Sequence, residues 1–288
     1  MFVRSALPIG NRTETFPGDA TKMEGQRESS NGSTTGRDRS HPPLAGFTVA
    51  ITADRHWEET ADLLRGRGAI VVHAPTVRTV VAERGGSATP SWDAPADLRP
   101  ALRLVRAIVE RRVHVITFTN AVAVVNLFEI ATGESMGDDV REAMRADVAV
   151  LCLGSRTVIA VEVAGVALSP EPVDACSPTG FVDAITLQLD GRRAMIGELC
   201  LSGTAFLVGT ERIDLSAMES SLLFALARRP GAVVSKSALV ALVWRRGGDE
   251  HLVEVTVARL RRRLGCWAEM VEAVPRRGYR IRVPGHCV

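Results

Sequence analysis

The chain has 288 residues, an apolar content of 46% that is ordinary for a globular protein, and a formal net charge of only +2. This length suits two modest domains, and no apolar run is long enough to span a membrane. The five cysteines are odd in number, widely spaced and without a CxxC pair, which argues against a disulfide framework or a zinc site. We therefore expect a cytoplasmic protein that is not exported, has no membrane partner and needs no metal or other cofactor.

The charge is distributed unevenly along the chain. From Leu189 onward there are 16 arginines and lysines against 10 aspartates and glutamates, a net charge of +6, which leaves −4 for the preceding residues. A basic C-terminal third joined to a mildly acidic remainder predicts a module that binds a polyanion, attached to a domain with another task.

The first 45 residues are rich in Gly, Ser, Thr, Asn, Arg and Pro, and the stretch ESSNGSTTGRDRSHPP offers almost nothing to bury. Such a composition predicts a disordered tail over residues 1–45. A regulatory arm and a dispensable extension both remain open as interpretations of this tail.

Residues 46–190 alternate between short apolar runs and amphipathic segments. The runs predict strands at residues 46–53, 70–80, 114–119, 148–154 and 166–169. Helices are predicted after residue 53 and at residues 97–111, 120–131, 155–165 and 177–189. The polar stretch at 82–97 interrupts the pattern. Five strand and helix alternations predict an α/β domain with a flavodoxin-like, doubly wound parallel sheet.

The pattern changes in residues 191–288. Residues 199–216 alternate with turn residues and predict a small antiparallel sheet. A helix follows from Ser216 to Arg229, where Ser216 and Glu219 fit a capping box. Further helices are predicted from Ser235 and over about 250–264, and the chain closes with a hairpin that contains RRGYRIRV.

The helix at 250–264 predicts one apolar face and one arginine-rich face. The buried stripe is expected to contain Leu252, Val253, Val257, Leu260 and Leu264. The opposite face is expected to carry Thr256, Arg259, Arg262 and Arg263, with Arg261 at the border. Such a helix fits the major groove of DNA, where arginine can bond guanine, and the arginines of the hairpin can reach the adjacent backbone. An ordinary solvated surface on an arginine-rich protein is the alternative.

Residues 199–283 closely resemble the winged helix-turn-helix domain of OmpR/PhoB-type response regulators. The matching stretches are IDLSAMESSLLFALARRPGAVVSKSALVALVW, VEVTVARLRRRLG and RRGYRIRV. The resemblance implies a four-stranded sheet, a recognition helix at about 250–264 and a wing at about 272–283. It also implies that Thr256 and Arg259 face bases, that Tyr279 packs at the base of the wing, and that phosphates are held by Arg262, Arg263 and Arg277.

The domain that precedes the winged helix does not fit a phospho-accepting receiver. Receiver chemistry requires acidic residues at strand ends, a phosphorylatable Asp after the third strand and a nearby Lys. The segment VITFTNA has no Asp, and no Lys occurs between residues 23 and 235. The sequence therefore argues against phosphorelay control.

Residues 46–190 instead resemble uroporphyrinogen-III synthase, an enzyme of tetrapyrrole biosynthesis. The matching segments are GFTVAITADRHWEETADLLRGRGAIVVHAPTVRTV, VITFTNAVAVVNLF and VLCLGSRTVIAVEVAGV. The synthase has a second lobe inserted between two linker strands, and residues 77–97 correspond to a remnant of this linker ladder. The resemblance therefore implies a single lobe that forms half of the substrate cleft.

Three helix starts in this lobe are candidate sites for an anion, because backbone N–H groups and the positive helix end favour a carboxylate. They are Thr119 and Asn120, then Ser155, Arg156 and Thr157, and finally residues 177–180. Ordinary helix capping is the alternative at each. No catalytic triad, carboxylate pair or metal cluster is present in the sequence, so we assign no catalytic residue.

These observations favour a bacterial DNA-binding transcriptional regulator with double-stranded DNA as its partner. The synthase-like lobe then senses a tetrapyrrole-like or other anionic small molecule, or forms a homodimer. Uroporphyrinogen-III synthase activity, alone or beside DNA binding, is the alternative. A decayed product that folds without either function remains a third possibility.

Overall fold

The computed structural model describes residues 41–84, 87–167, 173, 177–244 and 247–283, with the backbone alone over 81–90. Most of the predicted disordered tail lies outside these ranges. Residues 41–45, however, are folded. Leu44 is fully buried, and its N–H group donates to the carbonyl of Arg67 at 2.8 Å. The prediction of disorder is therefore wrong for these residues, because Leu44 supplies apolar area to the core.

The strands of the N-terminal lobe are β1 Thr48–Ile51, β2 Ile70–His73, β3 Arg78–Arg84, β4 Ser87–Asp93, β5 Val115–Phe118 and β6 Ala149–Cys152. Four of them form a parallel sheet in the order β2-β1-β5-β6, and β3 and β4 come between β2 and β5 in the chain. The sheet strands are short and apolar, and β1, β5 and β6 are buried along their whole length. Continuous burial is what a parallel sheet covered on both faces requires.

Six helices in the described part of the lobe cover the two faces of this sheet. They are α1 Glu58–Gly66, α2 Arg99–Val109, α3 Ala121–Gly133, α4 Gly137–Ala146, α5 Ser155–Val163 and α6 Pro178–Asp190. One apolar cluster joins the sheet to α2, α3, α4 and α5, and a second joins it to α1 and α6. The predicted doubly wound α/β fold is confirmed.

Three details of the lobe differ from the sequence prediction. Helix α4 was not predicted. The segment that its pattern predicts to be a polar break forms an antiparallel ladder between β3 and β4, within the linker-ladder remnant that the resemblance implied for residues 77–97. In the predicted fifth strand, residues 166 and 167 are not part of a strand, and 168–169 lie outside the described residues. Val173 forms an isolated parallel bridge to Leu153 at that edge of the sheet.

The C-terminal part has the winged-helix arrangement that the sequence predicts. The strands β7 Arg193–Ile196, β8 Leu199–Ser202, β9 Ala205–Val208 and β10 Glu211–Asp214 form an antiparallel sheet in sequential order. The helices α7 Ala217–Ala227, α8 Lys236–Val243 and α9 Glu250–Leu264 follow, and a 3₁₀ helix spans Gly265–Met270. The hairpin consists of β11 Val271–Val274 and β12 Gly278–Ile281. None of the helices in the described ranges combines the length and apolar character of a bilayer-spanning segment.

The turn between β8 and β9 packs against the start of β1. The Ser202 hydroxyl donates to the carbonyl of Ala45 at 2.6 Å, and the Thr204 N–H donates to the carbonyl of Gly46 at 3.1 Å. A Cβ atom on Gly46 would lie 2.1 Å from the carbonyl oxygen of Ser202, and one on Gly203 would lie 2.3 Å from that of Gly46. The two parts of the chain therefore meet backbone to backbone, and only glycine fits at this contact.

Candidate nucleic-acid interface

Helix α9 begins at a capping residue and ends at a glycine. The Asp249 carboxylate accepts the N–H of Leu252 at 3.0 Å and caps the helix, and Gly265 ends it with a φ of 60°. The buried stripe contains Val253, Val257, Leu260 and Leu264, as predicted. These four residues recur at the spacing of one helix face, which seats α9 against the other helices of the domain.

Two residues of α9 do not lie where the sequence predicts. Leu252 is 39% exposed, because it is one residue, or about 100°, from Val253 and falls outside the stripe. Thr256 is only 9% exposed, because it precedes Val257 on the flank of the same stripe. The expectation that Thr256 points away from the core is therefore wrong.

The arginines of α9 divide into two groups. Arg261 donates to the carbonyl of Val271 through Nε at 3.0 Å and through a terminal nitrogen at 2.6 Å. Arg263 forms an ion pair with Glu219 at 3.0 Å and donates to the Asp214 carbonyl at 3.2 Å. These two side chains hold α9 to β11, β10 and α7. Sequence reasoning missed both roles, since the partners are distant in the chain or lie in the backbone.

Arg259 and Arg262 form the second group. Both are exposed, and neither makes a side-chain hydrogen bond or ion pair to any residue in the described part of the chain. Their guanidinium groups are therefore available to a phosphate or a base edge. Two of the α9 arginines expected to contact DNA thus remain available, and Arg263 is engaged within the domain.

The wing is fixed to the body of the domain next to this helix. Tyr279 and Val234 exchange backbone hydrogen bonds at 2.8 and 3.0 Å, and Tyr279 is buried at the base of the wing, as predicted. A Cβ atom on Gly278 would lie 2.0 Å from the Val234 carbonyl oxygen, so this contact also requires glycine. The wing therefore has a defined position relative to α8 and α9.

The tip of the wing carries the exposed residues Arg276 and Arg277, and Arg276 has a positive φ of 62°. Arg280 instead pairs with Glu272 across the hairpin through two hydrogen bonds of 2.9 Å. This pairing lowers the pKa of the Glu272 carboxyl below its ordinary value. The cationic surface of the wing is thus concentrated at its tip.

A further ion pair lies at the start of α9. Lys236, the first residue of α8, binds the carboxylate of Glu254, and this hydrogen bond raises the pKa of Lys236. Glu254 lies on the exposed side of α9, in the turn that precedes Arg259. Lys236 therefore offsets a negative charge that would otherwise oppose a nearby phosphate.

In the α/β lobe, side chains cap the helix at the first and third predicted anion sites, where Asn120 and Ser177 accept helix N–H groups, whereas the start of α5 has no side-chain cap. The Asn120 side chain accepts the N–H groups of Val122 at 2.7 Å and Ala123 at 3.2 Å, so it occupies the donors that an anion would need. Thr157 is buried, and its hydroxyl donates to the Leu153 carbonyl at 2.9 Å. Ser155 and Arg156 are exposed at the start of α5.

Thr119 lines a cleft of about 280 Å³ at the carboxyl ends of β1 and β5. Arg55 and His56 follow β1 and form one wall, and Ser177 at the start of α6 contributes to another. The chain leaves β1 toward one side of the sheet and β5 toward the other, so this is the topological switch point where ligands of such folds bind. The sequence analysis missed Arg55, because a loop residue carries no periodic signal. The cleft does not include Asn120 or residues 155–157.

Residues 209–281 match the family model described as "Transcriptional regulatory protein, C terminal". The C-terminal part of the chain is thus an OmpR/PhoB-type winged-helix domain, which is the class that the fold and the basic surface define.

Among particular proteins, the chain is similar to the transcriptional regulatory protein AfsQ1 of Streptomyces coelicolor (strain ATCC BAA-471 / A3(2) / M145). The two are 34% identical over 98 residues, which are 32% of this chain and 44% of AfsQ1. The chain therefore spans less than half the length of this relative.

Two solved structures show lesser likeness. The DNA-binding domain of E. coli CadC is 26% identical, with a TM-score of 0.30, over 32% of this chain and 92% of that one. Uroporphyrinogen III synthase from the extremely thermophilic bacterium Thermus thermophilus is 23% identical, with a TM-score of 0.31, over 51% of this chain and 52% of that one.

Proposed function

We propose that the protein is a cytoplasmic, DNA-binding transcriptional regulator of a bacterium. The observation that carries the proposal is the pair Arg259 and Arg262, exposed on α9 without a partner among the described residues, in a domain that matches transcriptional regulators. A guanidinium without an internal partner keeps its donors for phosphate oxygens and base edges. The partner is double-stranded DNA.

In this proposal the residues of the interface have different tasks. Arg259 contacts a base edge in the major groove, because bidentate bonds from arginine to guanine distinguish base pairs. Arg262 and Arg277 hold phosphates and fix the position of the protein on the duplex. We leave Thr256 out of the base-contacting set because it is buried, and Arg263 out of the phosphate set because Glu219 engages it.

We further propose that the α/β lobe regulates DNA binding as a ligand sensor or a dimerisation domain. The cleft beside Thr119 and Arg55 suits a small anionic group, because a cation and hydroxyl groups meet there at the switch point. For dimerisation, α3 and α5 offer an exposed apolar surface that includes Val125, Ile159 and Val163, the last of these 83% exposed.

A synthase activity in tetrapyrrole biosynthesis would require the lobe to hold hydroxymethylbilane, a linear molecule of four rings. The cleft of about 280 Å³ is at the lower limit of small-molecule sites, which occupy roughly 300–1,000 Å³. It is therefore too small to enclose such a substrate, and we propose that the lobe is not an enzyme. A coupled assay that yields only the spontaneous type I isomer would support this proposal. Formation of the type III isomer would contradict it and show that the lobe is a synthase.

The experiment that tests the regulator is fluorescence anisotropy of the full chain on labelled DNA from its own upstream region. We expect saturable binding that survives excess scrambled competitor. The affinity should fall steeply as salt rises, because bound phosphates release counterions. Binding that scrambled DNA removes at the same concentration as unlabelled specific DNA would contradict the proposal.

A further inference from the structure

A second cavity lies at the opposite end of the parallel sheet, between the lobe and the winged helix. This interlobe pocket has a volume of about 300 Å³. Its lobe side includes Arg111, His114 and Asp147, its winged-helix side includes Arg228, and Arg192 lies between the two. It is distinct from the cleft beside Thr119, which opens at the carboxyl ends of the strands.

The charges in the interlobe pocket leave an excess of cations. Arg111 binds the carboxylate of Asp147 at 2.6 Å, and Arg192 donates to the backbone carbonyl of the same residue. Arg228 makes no side-chain hydrogen bond or ion pair to any residue that the structure describes. Three guanidinium groups thus line a pocket in which Asp147 is the acidic residue. Arg111 and Arg192 are partly buried and already have partners, whereas Arg228 is exposed and keeps its donors for an incoming anion.

His114 adds a neutral donor to these cations. The backbone N–H of Thr48 donates to its Nδ1 atom at 2.9 Å, which leaves the ring proton on Nε2. Burial, and then the nearby charge of Arg192, lower the pKa of His114 to about 4. The imidazole is therefore neutral near pH 7, and its one N–H group can donate to an oxygen of a ligand.

The remaining walls combine the hydroxyl groups of Thr204, Ser220 and Ser221 with apolar side chains. Phe47 and Val113 come from the lobe, and Phe224 and Leu242 come from α7 and α8 of the winged helix. A mixture of a few convergent polar groups and aromatic or aliphatic walls is typical of sites for small organic molecules. This mixed lining suits an anionic group that is carried on an apolar body.

We propose that the interlobe pocket binds a small organic anion, with one carboxylate or phosphate group on an apolar body. The ligand would contact both parts of the chain at once. Helices α7 and α8, which supply one wall, share an apolar core with α9. A ligand that fits only one arrangement of the two walls would therefore shift the affinity for DNA. This last step rests on the proposed regulator, whereas the binding itself does not.

Calorimetric titration of the DNA-free full chain with phenyl phosphate and with phenylacetate tests the binding. The two probes distinguish a phosphate site from a carboxylate site, and inorganic phosphate serves as the probe without an apolar body. We expect saturable binding of at least one organic probe and much weaker binding of inorganic phosphate. No saturable binding of either organic probe up to about 10 mM, or equal binding of inorganic phosphate, would overturn the proposal.

Variants locate the site. Arg228→Ala should weaken binding roughly tenfold, because a charge-assisted hydrogen bond is lost. Arg229→Ala is the matched control, since Arg229 is the adjacent exposed arginine and does not line the pocket. Ala225→Phe should abolish binding by filling the pocket while every arginine stays in place. Thermal melting of each variant confirms folding, and equal binding by all folded variants would place the site elsewhere.

The DNA arm is measured separately by repeating the anisotropy titration with and without the bound probe. We expect the probe to change the affinity of the wild type and of Arg229→Ala, and to leave that of Ala225→Phe unchanged. If the probe binds but DNA does not, the regulator is wrong and the pocket stands. If DNA binds but the probe does not, the pocket is wrong and the regulator stands.

Discussion

The Nε atom of Arg263 lies 3.0 Å from the carboxylate of Glu219, so the last turn of α9 is joined to the first turn of α7. Glu219 is only 3% exposed, and its carboxylate also accepts the N–H of Ser216 in the capping box. A buried carboxylate depends on its partners, because desolvation is not offset without them. One arginine of the basic helix thus joins α9 to α7 within the domain.

Arg263→Ala is therefore expected to lower the free energy of unfolding of the winged helix. The loss should be about 1–3 kcal/mol, the cost of leaving a buried polar group with fewer partners. The neighbouring substitution Arg262→Ala is the matched control, since Arg262 has no partner in the described residues and should change stability by less than about 0.5 kcal/mol. Urea denaturation of both variants measures the difference.

The variants Arg262→Ala and Arg263→Ala should show the opposite order of effects on DNA binding. Arg262→Ala should weaken binding to all sequences and reduce the salt slope by about 1, because one phosphate contact is lost. Folded Arg263→Ala should retain the wild-type slope. If Arg263→Ala reduced the slope without changing stability, Arg263 would be a phosphate contact, as the sequence alone predicts.

Arg259→Ala should reduce the preference for the specific site over scrambled DNA. The expected loss is roughly 1–3 kcal/mol, the value of one bidentate contact between arginine and guanine. Arg103→Ala, an exposed arginine on α2 of the lobe, controls for the change in net charge. Anisotropy titrations on both DNAs give the ratio. Full sequence preference in Arg259→Ala would mean that α9 is not the recognition helix.

The contrast between Arg259 and Arg263 shows what the sequence could predict. The 3.6-residue period of Val253, Val257, Leu260 and Leu264 determines which face of α9 is buried, and local spacing is enough to read it. Glu219 is distant from Arg263 in the chain, and only the packing of α7 against α9 brings the two together. Charge counting therefore found the basic face but could not separate its structural members from those available to DNA.

The same physical reason explains the errors in the lobe. Buried strands carry a continuous apolar signal, so β1, β5 and β6 were predicted. The residue pattern alone did not indicate the β3–β4 ladder, because Pro90 and a Gly-Gly pair interrupt it, and only the resemblance implied a linker ladder over residues 77–97. The cleft beside Thr119 depends on loop residues such as Arg55, which only the sheet topology places there.

Gly203→Ala should separate the lobe from the winged helix. Gly203 has a φ of 55°, and its added Cβ atom would meet the carbonyl oxygen of Gly46 at 2.3 Å. Gly209→Ala is the matched control, since Gly209 has the same φ of 55° with no atom within 4 Å of the added Cβ. Both variants suffer the strain of a left-handed residue, about 1–2 kcal/mol, but only Gly203→Ala adds the clash.

Differential scanning calorimetry should show a larger destabilisation, and two separate transitions, for Gly203→Ala alone. Equal effects in the two variants would mean that the contact between Gly203 and Gly46 does not hold the parts together.

The partly buried His114 predicts a specific loss of stability in mild acid. Its pKa falls from an ordinary 6.5 to about 4 in the folded protein, so the unfolded chain binds a proton first as the pH decreases. The stability that depends on the neutral ring is fully present above about pH 6.5 and is lost progressively between there and pH 4. From pH 7.5 to pH 5 the free energy of unfolding should fall by about 2 kcal/mol on account of this residue.

Urea denaturation across this range measures the slope of the free energy of unfolding against pH. His114→Gln, whose side chain can still accept the N–H of Thr48, should be less stable at pH 7.5 but lose most of the slope. His251→Gln should keep the slope, because His251 is exposed on α9. An unchanged slope in His114→Gln would show that another group accounts for the pH dependence.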